Sequence, residues 1–376
     1  MAVLAAASGW WWVRGPAIER RAVVAPREID IDPLSMRAQR EAAIALATMP
    51  DDPWTFAESL AASAPANVPV KEQCGIADGP QFAKPATDDE TPVETRGPSA
   101  RYVSAQARID AALRASADPL DRAMADLLNV GGMRSEAGAY AAVIQQAAVT
   151  ADPRLYAIGY GLCLRSGLAS TPGCSQISLT RWTQVDPGNG IPWVHALMDA
   201  RAKSDDAAAR DAMAHLASST RFDVRFNSMG GAVASHLPED GADLAAANGL
   251  EEKAVGIAAA MPFPAFQPLL QTCRNHAGGD ERLEQQCTAI GNTMFEHSDN
   301  LISLSISGAL QFQMTGDASR RDYIRAERAV LNAQWSPATG FSPCQDMREA
   351  MKMQLRSAQV GEVEALRERA RKFVTP

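Results

Sequence analysis

The sequence predicts an all-α protein built from stacked helical hairpins. Three observations carry this. Apolar residues recur at helical spacing through almost every segment beyond Arg101. No stretch sustains the apolar/polar alternation of a strand. Asp-Pro pairs at Asp118, Asp152 and Asp186 recur at an interval of 34 residues. A chain of 376 residues also exceeds the roughly 250–300 residues at which a single core stops growing, so two domains or an elongated stack are expected.

Taken in order, the chain opens with an apolar segment, residues 1–16. Ala2 to Val13 carries no charge and ends in Trp10, Trp11 and Trp12, followed by Arg14. Tryptophans followed by a charge mark the end of a membrane-spanning helix. Twelve residues cannot span a bilayer, which needs roughly 20, and the positive start of a signal peptide is missing. Two readings fit: a truncated membrane anchor, giving the chain a tether, or an apolar tail. Residues 17–62 then hold two short predicted helices, Ser35 to Ala47 and Trp54 to Ala62. Residues 63–98 are Pro-rich and acidic, with Pro65, Pro69, Pro80, Pro85, Pro92 and Pro98 around Asp88-Asp89-Glu90. Proline removes a donor and blocks helix, which predicts a linker or extended arm.

Residues 101–376 form the predicted helical-repeat domain. Tyr102, Ala105, Ile109, Ala112 and Leu113 make one apolar stripe, with Arg108 and Arg114 off it. Asp followed by Pro is a favourable helix start, because Asp accepts from the free amides and Pro tolerates the first helical position. After Asp118-Pro119, Leu120, Met124, Leu127 and Leu128 form an apolar face; Asn129-Val130-Gly131-Gly132 stops the helix and Ser135-Glu136 opens the next. After Asp152-Pro153, Leu155, Ile158 and Leu162 repeat the pattern before Cys163, and a second helix is expected from Ser175 through Trp182. Each interval therefore holds one helix–turn–helix.

Residues 186–219 place Asp186-Pro187 ahead of Trp193, with the small Ala209 in the second helix. This pattern resembles the tetratricopeptide repeat, a 34-residue helical hairpin. The match is partial: Ala196 and Leu197 stand where Leu and Gly are expected, Ala200 replaces a Tyr, and the two earlier units lack the Trp. The resemblance covers residues 118–219 and implies a superhelix whose concave face binds extended partners. Further helices are expected at 223–235, 240–260, 264–275, 280–297, 299–314 and 317–334, with one long final helix from Cys344 to Phe373.

The six cysteines form no CxxC pair, so zinc ribbons and thioredoxin-type motifs are unsupported. Cys163 and Cys174 flank one interhelical turn, and Cys273 and Cys287 flank another. Bridges there would staple the mouths of helical hairpins. Cys74 and Cys344 remain as a third candidate pair, tying the N-terminal segment to the last helix. The competing reading is six buried thiols. The disulfide reading and the tryptophan-ended segment agree on an extracytoplasmic, periplasm-like compartment.

The chain carries 36 basic and 44 acidic residues, a net charge of −8, which argues against a nucleic-acid partner. It contains no P-loop, HExxH, GxSxG or EF-hand signature, and no cofactor is implied. His195 and His215, on the two helices of one hairpin, are placed to approach each other, but isolated helical histidines are usually packed or surface residues. His276 beside Cys273 would suit a Cys/His pair, although a disulfide explains Cys273 more simply. Enzymes that cleave cell-wall glycan need a Glu-Ser pair in a particular setting; Glu58-Ser59 stands alone here. No catalytic or metal-binding residue is therefore assigned. The expectation is a non-enzymatic binding or scaffold protein of the cell envelope with a protein or peptide partner. An enzyme acting on cell-wall polymer and an immunity or inhibitor protein are the alternatives.

Overall fold

The computed structural model describes residues 79–82, 94–132, 134–165, 167–236, 243–275, 280–322, 324–325 and 343–374. The segment 1–16, the helices expected within 17–62 and Cys74 lie outside these residues. The fold is all-α. Among the described residues the extended structure is a short antiparallel ladder, β1 (Gln81–Phe82) against β2 (Glu94–Arg96) inside the Pro-rich arm, and two isolated bridges, Asn189 with Arg221 and Phe222 with Ser298.

The first four helices follow the sequence signals closely. Ser99 starts α1 (Ala100–Ala115), its Oγ accepting from the Tyr102 amide at 3.1 Å. Asp118 starts α2 (Pro119–Leu128), accepting from the Leu120 amide at 2.9 Å. Asn129, in the left-handed region at φ 47°, ends α2, and Ser135 caps α3 (Glu136–Val149). Asp152 caps α4 (Pro153–Leu164), accepting from the amides of Arg154 and Leu155. Arg154 also reaches back to Asp118 at 2.9 Å, joining two helix starts 34 residues apart.

The second helix of the next unit differs from expectation. Cys174–Gln176 forms only a 3-10 turn, and the α-helix, α5, runs from Leu179 to Val185 under a Ser178 cap. The third Asp-Pro pair departs further. Asp186 starts no helix and instead ends α5 as its C-cap: α6 (Ile191–Ala202) begins after Gly190, and Pro192 rather than Pro187 lies in its first turn. Asp205 then caps α7 (Asp206–Ser218).

The remaining elements are α8 (Ser228–Ala234), α9 (Leu244–Ala259), α10 (Gln267–Asn275), α11 (Glu281–Glu296) and α12 (Leu301–Thr315). Helix α8 is shorter than the expected 223–235, because Arg225 adopts φ 61° and breaks the segment before it. The expected last helix is two, α13 (Pro343–Val360) and α14 (Glu362–Val374). Gly361 separates them at φ 88°, and a Cβ there would stand 3.0 Å from the Asp299 Cα, so only glycine fits without strain.

Successive helices α1 to α7 pack as neighbours, as hairpins should. Helices α8 and α9 then return to pack on α2 and α1, and α8 also packs on α13. That last approach is close, because Gly231 leaves room for Ala358; a Cβ on Gly231 would sit 2.1 Å from the Ala358 Cβ. An open array with contacts only between adjacent repeats would not make these returns. One large core runs through the molecule from Ile109 to Met351, and a smaller cluster of Leu301, Leu304, Ile324, Met353, Val363 and Leu366 joins the last helices. Among the described residues no helix is long and apolar enough to cross a membrane.

Both expected hairpin staples are present. Cys163 bonds Cys174 with Cα atoms 5.6 Å apart, and Cys273 bonds Cys287 at 5.9 Å. Cys344 is also disulfide-bonded. These bonds point to an oxidising, extracytoplasmic compartment.

Candidate functional site

Two concavities lie side by side and share one wall, Arg225. The first sits where four interhelical connectors are stitched together. Gly190 N donates to Arg221 O at 2.8 Å, Phe222 N to His297 O at 2.9 Å, and Glu362 N to Asp299 O at 2.7 Å. Asp186, only 1% exposed, anchors this edge. It pairs with Arg221, receives three bonds of 3.1–3.2 Å from Arg225, and accepts from Asn189 Nδ2 at 2.9 Å. Asn189 also accepts from the amides of Ile191 and Asp223, each at 3.1 Å. Asp299 holds the strained Arg225 turn by accepting from the Val224 and Arg225 amides at 2.9 and 2.7 Å.

A cavity of about 370 Å³ opens beside this network, lined in part by Asp223, Arg225, His297, Asp299 and Ser357. Burial, reinforced by the neighbouring Asp223 carboxylate, pushes Asp299 up to about 6 despite its amide donors. Burial likewise raises Asp223, against the opposing pull of Arg225 and Arg221. The charged groups at the head of this cavity thus bind one another. Their first role is to fix the connectors.

The second concavity is aromatic. Helix α4 supplies Ile158, Tyr160 and Gly161, α5 supplies Trp182 and α6 supplies His195. Val224, Phe226 and the run Met261-Pro262-Phe263-Pro264 close it, leaving a cavity of about 50 Å³. The Tyr160 ring lies 4.9 Å from that of Trp182 and 5.2 Å, edge-on, from that of His195; Trp182 and His195 are 5.7 Å apart. Leu164, at the rim, is 42% exposed.

Among the described residues, two buried polar atoms of this pocket's lining side chains, Trp182 Nε1 and His195 Nδ1, have no hydrogen-bond partner, nor has Ser357 Oγ beside the first cavity. Leaving such an atom unpaired costs about 1–3 kcal/mol. Nearby Tyr156 shows the ordinary solution: its buried hydroxyl donates to Ser178 O at 3.1 Å and accepts from Ser178 N at 2.9 Å. Burial also holds His195 down at about 4, so its imidazole is neutral across the physiological range, and pushes Tyr160 up to about 12.

His195 and His215 are not brought together. His215 instead stacks on Trp193, with ring centroids 3.8 Å apart and planes 9° from parallel, at the surface. His236 Nε2 lies 2.9 Å from Asp121 Oδ2, and His276 lies outside the described residues. Among the described residues, no group of three or more His, Cys, Asp or Glu could hold a metal ion. Tyr160, Phe226 and Arg225 were not singled out in the sequence, since their pocket forms only when 157–164, 182–195, 224–226 and 261–264 meet. Comparison with models of protein families, with curated proteins and with solved structures found no match.

Proposed function

We propose that this chain is a non-enzymatic binding protein of the cell envelope. Its stacked hairpins present the aromatic pocket between α4, α5 and α6 to a protein or peptide partner. The observation that carries the reading is one largely apolar concavity, walled by Tyr160, Trp182, Phe226 and Phe263, with the exposed Leu164 at its rim. Apolar concavities with a few polar groups are the usual form of a binding site. The disulfides support action in an oxidising compartment, and a tether through residues 1–16 belongs to the same proposal. The tetratricopeptide-like arrangement of 118–219 also remains part of it. Connectors joined side by side at 188–190, 220–222 and 297–299 support that arrangement, while the buried Asp186 departs from a simple repeat of helix starts.

The test is site-specific photo-crosslinking in cells that make the chain. A crosslinker at Leu164, on the pocket rim, should give a discrete adduct that excess unlabelled wild-type chain removes. The same group at Ile302, 49% exposed on α12, should not. No adduct from Leu164, or equal adducts from both sites, would overturn the reading.

A further inference from the structure

The two concavities are joined through one strained turn. Val224, Arg225 and Phe226 wall the aromatic pocket, while Asp223 and Arg225 line the polar cavity. The segment turns at Arg225, whose φ of 61° lies in the left-handed region that side chains rarely adopt. Such a conformation persists only where its surroundings hold it. Asp186 binds the Arg225 guanidinium, and Asp299 binds the backbone. Oδ1 of Asp299 accepts from the Val224 amide at 2.9 Å, and Oδ2 accepts from the Arg225 amide at 2.7 Å. Asn300 Nδ2 donates to the same Oδ1 at 2.7 Å.

A carboxylate accepts through both oxygens, whereas a protonated carboxyl must place a hydrogen on one of them. Oδ1 already serves two donors, so Oδ2, which holds Arg225, is the oxygen left for a proton. The surroundings favour that proton: burial and the negative charge of Asp223 push Asp299 up to about 6. The cation that opposes them, Arg225, is itself bound to Asp186, and Arg221 is bound to Asp186 and Asp223. From α14, Glu362 approaches with its backbone N–H on Asp299 O, while its carboxylate accepts from the Leu301 amide at 3.0 Å. Further charged groups on the cavity wall are Glu296 and His297 at the end of α11, and Glu364 and Arg367 on α14. Proton uptake by Asp299 therefore relieves buried charge and gives up part of the hold on the turn.

We propose that Asp299 is a pH-sensitive strut for the aromatic pocket. Ionised, it fixes the Arg225 turn that walls the pocket; protonated, it loosens the Arg225 amide and the pocket changes shape. This is regulation of the pocket and rests on the binding reading above.

The experiment titrates the full chain, ¹⁵N-labelled, from about pH 7.5 to about pH 5, either side of the Asp299 value. The readouts are the Val224 and Arg225 amides and the Trp182 indole. In the wild type all three should move together with a midpoint near 6. Asp299→Asn keeps one acceptor oxygen and cannot ionise, so its signals should stay near the acid wild-type positions throughout. Asp223→Asn removes the neighbouring charge and should lower the midpoint; it decides the matter if Asp299→Asn does not fold. His297→Gln should leave the midpoint in place. The absence of a shared titration, or one that survives in Asp299→Asn or vanishes in His297→Gln, would overturn the proposal. The Leu164 crosslink, repeated at the two ends of the range, separates this device from the binding reading. Its yield should fall roughly tenfold at the acid end, following the fraction still ionised one unit below the midpoint. Equal yield at both ends would overturn the strut while the binding reading stands. No adduct at either end would overturn the binding reading, with the titration still deciding whether Asp299 moves the turn.

Discussion

Residues 118–185 and the connector edge built on Asp186 use the same dipeptide in opposite ways. In the first region closure is local apart from the Arg154–Asp118 pair. Asp118 and Asp152 accept from amides two and three residues ahead, and the Cys163–Cys174 bond spans 11 residues. In the second, Asp186 is withdrawn from solvent and bound to arginines 35 and 39 residues away, while Asp299 holds amides 74 and 75 residues away. A cap on the surface exchanges water for an amide at modest gain. A buried carboxylate must be matched by its partners, so losing one side of the network leaves charge stranded.

The sharpest way to break the comparison is Asp186→Ala. It leaves Arg225 without its bidentate partner in a buried turn, and should cost about 3–5 kcal/mol in denaturant unfolding. If it costs no more than Asp152→Ala, the distinction fails. Next come the disulfides. On protein folded in an oxidising compartment, Cys163, Cys174, Cys273 and Cys287 should add alkyl groups only after reduction, as read by intact mass and peptide mapping. Replacing either pair with serine should cost about 3 kcal/mol in the chain-entropy description. Alkylation without reduction would refute the pairing and the compartment together.

The caps should matter less. Asp118→Ala and Asp152→Ala should each cost about 1 kcal/mol, the usual worth of an N-cap, and Asp→Asn should recover most of it. The smallest effect at neutral pH belongs to His195→Phe, whose signature is pH dependence. His195 is held at about 4 in the folded chain against an ordinary 6.5, so between these values the unfolded chain binds the extra proton. Stability from this group therefore falls as pH drops through that window. Asp299, raised to about 6, acts in the opposite sense, losing stability as pH rises from its ordinary 3.8. The difference between wild type and His195→Phe isolates the first slope; parallel curves from pH 7 to 4 would contradict the burial of His195.

How much was legible follows from these distances. Helices α1 to α4, with their Ser and Asp caps and the Asn129 stop, could be read because each signal acts within a turn of its residue. The Cys163–Cys174 and Cys273–Cys287 pairs were legible because short turns bring their ends together. Asp186-Pro187 misled, because the dipeptide is identical to two genuine helix starts and only Arg221 and Arg225 give it another partner. Gly361 stood in a strongly helical pattern, and its break becomes visible only when Asp299 is found against it.

The candidate site was legible only in pieces. Trp182 could be placed in a helix and His195 named as a packed or surface residue, but nothing in the sequence marked them as neighbours in one pocket or as lacking partners. The sequence by itself determined the all-α class, the local caps and the hairpin staples, because those follow from dihedral preference, amide pairing and loop length over a few residues. Only the tertiary structure decided where Asp186 finds its countercharge, how α8 and α9 return to α1 and α2, and which buried polar atoms remain unpaired. Burial and long-range partners belong to the packed chain, and no short stretch of sequence contains them.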